Sequence, residues 1–202
     1  LAGSYNGAQA LAFSPDGKTL AAFGSGREVT LWDLQAKPPV SHVHTVQAPV
    51  YALGFTQEGK VIAAAAWDRG VVIWDVLTDA PIGVPLLGHD NSVTGAVFNA
   101  DATRLATSDS STLVIWDLAT RQPLVKPISL EGGSITAMVF NHSGKQLATA
   151  NQTGAITIWD TETGTPIDRP LTGHSNTITG LTFAGTDDDM LISGSKDRTV
   201  IV

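Results

Sequence analysis

The dipeptide Trp-Asp recurs at Trp32-Asp33, Trp74-Asp75, Trp116-Asp117 and Trp159-Asp160, at intervals of 42, 42 and 43 residues. A fixed period of that length restricts the chain to architectures that stack one small unit, because each copy must bury its faces against its neighbours. Upstream of each dipeptide the same order returns: an apolar segment ending in Phe, a polar turn, a second apolar segment, another turn and a β-branched segment ending at Trp. Ala10-Leu11-Ala12-Phe13-Ser14-Pro15-Asp16-Gly17 and Ala137-Met138-Val139-Phe140-Asn141-His142-Ser143-Gly144 are two copies of its opening.

These segments read as strands, since apolar and β-branched residues alternate in short runs between Gly, Asp, Asn and Pro turns. The turn density excludes a helical protein. Each Trp-Asp is followed by a Pro-bearing segment, such as Pro81 to Leu86 and Pro166 to Leu171. Proline cannot donate to a ladder, so these are predicted outer-edge strands. Four antiparallel strands per period, packed face to face, bury surfaces that one sheet could not bury alone.

Composition removes several function classes. With 202 residues and 43% apolar content the chain can build a sizeable core. Twelve Lys and Arg against nineteen Asp and Glu give a net charge of -7, which disfavours a nucleic-acid partner. No apolar run approaches the roughly 20 residues of a bilayer span, and the first residues lack the basic and apolar regions of a signal peptide, so no membrane partner is expected. There is no Cys. That removes disulfides, thiolate metal sites and cysteine nucleophiles, and it is compatible with a reducing, cytoplasmic location. No Gly-rich phosphate cradle is present, and no cofactor or metal is expected.

The sequence resembles the WD40 family over essentially its whole length. Besides Trp-Asp, the family's Gly-His element stands at Gly88-His89 and Gly173-His174, and its second-to-third-strand turn at Ser195-Lys196-Asp197-Arg198-Thr199 and, less perfectly, at Trp67-Asp68-Arg69. The resemblance implies an all-β fold of WD40 β-propeller blades: four nearly complete repeats plus a truncated fifth, at approximately 1-45, 46-87, 88-129, 130-172 and 173-202. Leu1-Ala2-Gly3-Ser4 aligns with the tail of an outer strand, Leu171-Thr172-Gly173-His174, while Val200-Ile201-Val202 falls in a third strand just before an expected Trp. The expectation is a part of a larger, seven-bladed propeller; self-associating blades are the alternative.

In the family a His, a hydroxyl, an Asp and the Trp hydrogen-bond within a blade. The resemblance thus implies structural roles for Trp32, Trp74, Trp116 and Trp159, for His89, Thr107 and Asp109, for His174, Ser193 and Asp197, and for Asp68. His89, Thr107 and Asp109 could be taken for a hydrolase triad, but no motif announces an exposed nucleophile or an oxyanion site. The set is uneven. Repeat one has Ser4 and Gly26, repeat two Val46, and repeat four Glu131 for His with Thr153 near the Asp position. Repeat three is one residue short between its second and third strands, which leaves Asp109 open. Blades that depart from the set are expected to hold their turns less firmly. His42 and His44 share a strand face without a third metal ligand, Asp187-Asp188-Asp189 reads as a solvated hairpin, and the sequons at Asn141 and Asn151 carry no weight without a secretion signal.

What remains is surface. Family partners often bind the face made by the loops before the first strands and the turns between second and third strands. Carried over by position, that face comprises Gln9, Ser25, Pro49, Tyr51, Trp67, Arg69, Ser92, Thr94, Ser108, Ser134, Thr136, Gln152, Thr177, Thr179 and Lys196. Repeat two stands apart, since Trp, Tyr and Arg are enriched in binding hot spots. Trp67 and Tyr51 are candidate anchors for a partner; the alternative is that Trp67 lies flat over its own blade. The implied function is a non-catalytic platform or sensor for a protein or peptide, fused to further domains, with a bacterial signalling NTPase, kinase or caspase-like effector as one context. An enzyme with a channel site and a purely structural spacer are the competing classes.

Overall fold

The computed structural model describes residues 8–24, 26–47, 49–67, 69–130, 133–185 and 188–202. Among them lie twenty strands and no helix. The chain divides into two compact units, Leu1–Leu87 and Gly88–Val202.

In the first unit, blade one runs in order through β1 (Ala8–Phe13), β2 (Thr19–Gly24), β3 (Glu28–Asp33) and β4 (Val40–Thr45). Blade two runs through β5 (Val50–Phe55), β6 (Val61–Trp67) and β7 (Gly70–Asp75), with β8 (Ala80–Pro81) and β9 (Leu86–Leu87) both on β7. In the second unit, blade three comprises β10 (Gly95–Phe98), β11 (Arg104–Ser108) and β12 (Thr112–Asp117), with β13 (Gln122–Pro123) and β14 (Ile128–Ser129) on β12. Blade four comprises β15 (Ile135–Phe140), β16 (Gln146–Asn151) and β17 (Ile156–Asp160). Blade five comprises β18 (Ile178–Ala184), β19 (Met190–Ser195) and β20 (Val200–Ile201). All pairings are antiparallel.

The recurring residues close recurring turns. Between first and second strands, Ser14 Oγ, Asn99 Oδ1 and Asn141 Oδ1 each accept the backbone N–H five residues on, from Thr19, Arg104 and Gln146. The Asp of each dipeptide has a local task as well. Asp33, Asp75, Asp117 and Asp160 accept backbone N–H bonds from residues two or three further on, forming the Asx turns that start the outer segments. Proline occupies those outer segments as expected: Pro81 lies opposite Trp74 and Pro123 opposite Trp116. Blade four departs from the expected strand, because Leu171 and Pro166 make only isolated bridges to Ile156 and Trp159.

The four tryptophans are buried in matching register, opposite Leu20, Ala63, Leu105 and Leu147 of the second strands. Trp74 joins Phe23, Val29, Val46 and Phe55 in the core of the first unit. In the second unit Trp159 packs with Ala106, Ile115 and Leu147, and a further cluster joins Ala148 and Ile156 to Ile178. Each first strand with a described bulge shifts register at its start, between Ala8 and Ala10, Val50 and Ala52, Ile135 and Ala137, and Ile178 and Gly180. The blade-four hairpin also presses against blade five. Gly154, at φ +88°, has no room for a side chain, since a Cβ there would lie 2.5 Å from the carbonyl oxygen of His174.

Candidate functional site

Blade three contains the complete hydrogen-bonded set, and the structure resolves the open position at Asp109. Trp116, 1% exposed, donates its indole N–H to Thr107 Oγ1 at 2.8 Å. His89 Nε2 lies 2.7 Å from the same oxygen, and His89 Nδ1 lies 3.4 Å from Asp109 Oδ2. The tautomer follows from the partners. The Thr107 hydroxyl already accepts from the indole and gives its proton to Nε2, so the imidazole proton sits on Nδ1, facing Asp109 and Thr112 Oγ1. Asp109 Oδ1 accepts the backbone N–H of Ser111 and Thr112, and its Oδ2 accepts that of Asn91. The shortened hairpin therefore places the carboxylate two residues after the hydroxyl and still joins the turn to the loop carrying the histidine.

Two ionisations are perturbed here. Burial lowers the His89 pKa from its ordinary value of 6.5, against the opposing charge of Asp109. Burial pushes Asp109 up, but the N–H groups of Ser111, Thr112 and Asn91 outweigh it and hold the carboxyl well below the usual range.

Blade five repeats the arrangement around His174. Nε2 lies 2.9 Å from Ser193 Oγ, and Nδ1 lies 2.9 Å from Asp197 Oδ2. Asp197 also accepts N–H bonds from Ser175 and Thr199. The Thr199 hydroxyl heads the causes that lower its pKa, with burial opposing and the backbone donors assisting.

Blades two and four diverge in different ways. Trp74 Nε1 is buried with no hydrogen-bond partner among the described residues, because the register position of Thr107 is taken by Ala65 and the histidine position by the buried Val46. In blade four Trp159 donates to Thr149 Oγ1 at 2.8 Å. The turn carboxylate expected near Thr153 is replaced by Asn151, whose Oδ1 accepts from Thr153 N, Thr153 Oγ1 and Ala155 N. One amide oxygen thus closes this turn with three hydrogen bonds, although the blade lacks the full set. The sequence signal for Asn151 is that of an Asx turn starter ahead of a Gly, which the family spacing of the Asp does not mark.

The expected partner face is partly visible. Gln9, Tyr51, Thr136 and Thr179 fall at the four bulges, and Thr94 occupies the corresponding place in blade three. Three of the threonines fold back: Thr94 Oγ1 donates to Ser108 O, Thr136 Oγ1 to Ile178 O at 2.7 Å, and Thr179 Oγ1 to Gly194 O. Tyr51 is 37% exposed, and Arg69, Gln152 and Lys196 are exposed. Ser108 does not belong to this face. It is fully buried, and a Cβ on Gly95 would lie 3.0 Å from its Oγ. The side chains of Trp67 and Gln9, together with Ser25, Asp68, Glu131 and Asp187, lie outside the described residues. His42 and His44 stand on the outer strand β4, and among the described residues no three His, Cys, Asp or Glu side chains gather as a metal site. Asn141 is buried with its amide in a turn, and Asp188 Oδ2 accepts the backbone N–H of His142.

Five antiparallel sheets, four of them carrying the Trp-Asp register just described, define a protein of WD-repeat propeller blades. A family model described as WD domain, G-beta repeat matches residues 1–33, 39–75, 81–117, 126–160 and 164–202, and the chain belongs to the WD40 family. No curated protein matches it at a significant level.

Proposed function

We propose that the chain is a non-catalytic interaction module that binds a peptide segment of a partner protein at the bulge face of blade two. The observation that carries this reading is the contrast at the bulge position. Thr136 and Thr179 satisfy themselves on backbone carbonyls, whereas blade two places Tyr51 there, 37% exposed. Trp67 ends β6 at the same end of that sheet, paired with Gly70, and the exposed Arg69 lies in the turn between them. Trp, Tyr and Arg are the residue types most enriched among the hot spots of protein interfaces. The lack of catalysis is supported by the two imidazoles: both are buried, and both nitrogens of each already engage hydroxyl or carboxylate partners.

A random-peptide display selection against the chain, followed by calorimetry on the peptides recovered, tests the reading. Tyr51→Ala and Trp67→Ala are each expected to weaken binding at least tenfold while the thermal transition is retained. Peptides bound equally well by both variants would rule it out.

A further inference from the structure

The outer strands of the blades are unequal. Those of blades two and three are interrupted around Pro85 and Pro127 into two-residue pieces, β8 with β9 and β13 with β14, and that of blade four makes only isolated bridges. Blade one instead ends in β4, six residues paired with β3 without a register shift, from Val40 opposite Asp33 to Thr45 opposite Glu28. Its two prolines, Pro38 and Pro39, precede the strand and leave it intact. β4 carries no Lys, Pro or bulge, the devices that ordinarily blunt a sheet edge. Among the described residues no strand pairs with its far side, and five of its six residues are exposed, Val40 at 46% and Val43 at 52%.

The backbone of that edge has a defined phase. Residues of an antiparallel strand alternate between those that exchange N–H and C=O bonds with the neighbour and those whose groups point away from it. Val46 N donates to Arg27 O at 2.9 Å, so by the register Val40, His42 and His44 face β3, while Ser41, Val43 and Thr45 turn their N–H and C=O groups to the open side. These groups form a row that a further extended strand can pair. The strand is rich in β-branched residues, and no Asp, Glu, Lys or Arg lies within it.

The strand that fits this row is β4 itself. A two-fold axis through Val43, perpendicular to the sheet, lays a second β4 antiparallel to the first and keeps every side chain on its own face. Val43 then meets Val43, and Ser41 meets Thr45, which pairs all the outward N–H and C=O groups of both copies. His42 comes opposite His44 at the alternate positions, so no Asp, Glu, Lys or Arg opposes another along the strand. A shift of register in either direction leaves outward groups unpaired. The same arrangement carries the loop of the exposed Lys37 in each copy to the end where Gln47 of the other holds the Asp79 carboxylate, so opposite charges flank both ends of the pair. An extended peptide of another protein would have to match both ends separately, whereas self-pairing matches them by symmetry. We infer that two copies of this chain form an isologous dimer by antiparallel pairing of their β4 strands.

Sedimentation of the full chain over a concentration series tests this. A monomer–dimer equilibrium with a Kd below about 1 mM is expected. Val43→Lys sets two ammonium groups against each other at the axis and should weaken association at least tenfold with the thermal transition retained. Because the chain has no Cys, single-cysteine variants read the register directly. Opposed residues of a hydrogen-bonded pair lie about 5.5 Å apart at Cα, within disulfide reach, so Val43→Cys should cross-link to itself under mild oxidation. Ser41→Cys should not, since its twin lies roughly 13 Å further along the pair, yet it should cross-link to Thr45→Cys when the two are mixed. A chain that stays monomeric throughout the series would overturn the inference. So would a Val43→Lys variant that associates as well as the parent, or a Ser41→Cys variant that cross-links to itself as readily as Val43→Cys, since the contact would then run through another surface or register.

Discussion

Arg104 of blade three donates through Nη1 to Thr161 Oγ1 of blade four at 2.5 Å and to the carbonyl of Gly144 at 2.8 Å. Thr161 is fully buried and donates to the same carbonyl, so one guanidinium ties the start of β11 to two turns of the next blade. Arg104→Met keeps the stem and removes both bonds. It should cost about 1–2 kcal/mol, less than a fully buried charged pair because the guanidinium is partly solvated. Denaturant unfolding of the second unit reads the loss; an unchanged midpoint would show that the clamp adds no stability.

The hydroxyl of Thr107 serves an indole and an imidazole together. Thr107→Val should destabilise the chain by about 3 kcal/mol, because two buried donors or acceptors lose their partner at once. Thr107→Ser should recover most of that. In blade two the opposite change applies: Ala65→Ser offers the orphaned Trp74 indole an acceptor and should raise stability by up to about 1 kcal/mol. A serine that leaves the Trp74 indole N–H resonance unmoved would show that the hydroxyl does not reach it.

Acid should weaken blade three in two stages. The folded pKa of His89 lies below its ordinary 6.5, so protonation favours the unfolded chain; its contribution is complete above 6.5 and declines as pH falls from there. Asp109 is also depressed, so its contribution is complete above about 3.8 and is lost as pH falls below that value. Melting curves from about pH 7.5 to about pH 5, which span the histidine range, should show a decline in Tm that His89→Gln flattens.

Gly154 bears on the seam between blades four and five. Gly154→Ala forces a Cβ against the His174 carbonyl and holds a left-handed backbone, and should cost at least about 2 kcal/mol. Gly17→Ala, at a similar φ with open space around it, should cost only the backbone strain of about 1 kcal/mol. Equal losses at the two sites would discard the steric explanation.

The period and the Trp-Asp register were legible because a stacked unit repeats its burial requirements, so the same residue types return at the same places. The blade-three set was legible up to Asp109, where a one-residue change in hairpin length moved the carboxylate relative to the hydroxyl. Asn151 was hidden for a related reason: an amide oxygen can hold a turn as well as a carboxylate can, and family spacing names only the acid. Arg104 gave no signal, since its partners are a backbone carbonyl and a threonine that lie 40 and 57 positions away. Ser108 was misplaced because its neighbours in the sequence are turn residues, while burial depends on how closely Gly95 lets β10 approach.

The bulge at Thr136 sets where these repeats can change length. The 43-residue interval places its extra residue in the hairpin ahead of Trp159, where a loop absorbs it without altering which way any strand residue faces. Removing Thr136 itself would restore regular pairing with β16 yet exchange inward and outward sides for whatever lies on one flank of it. Insertions and deletions in this lineage should therefore accumulate in the hairpins and be purged from the first strands.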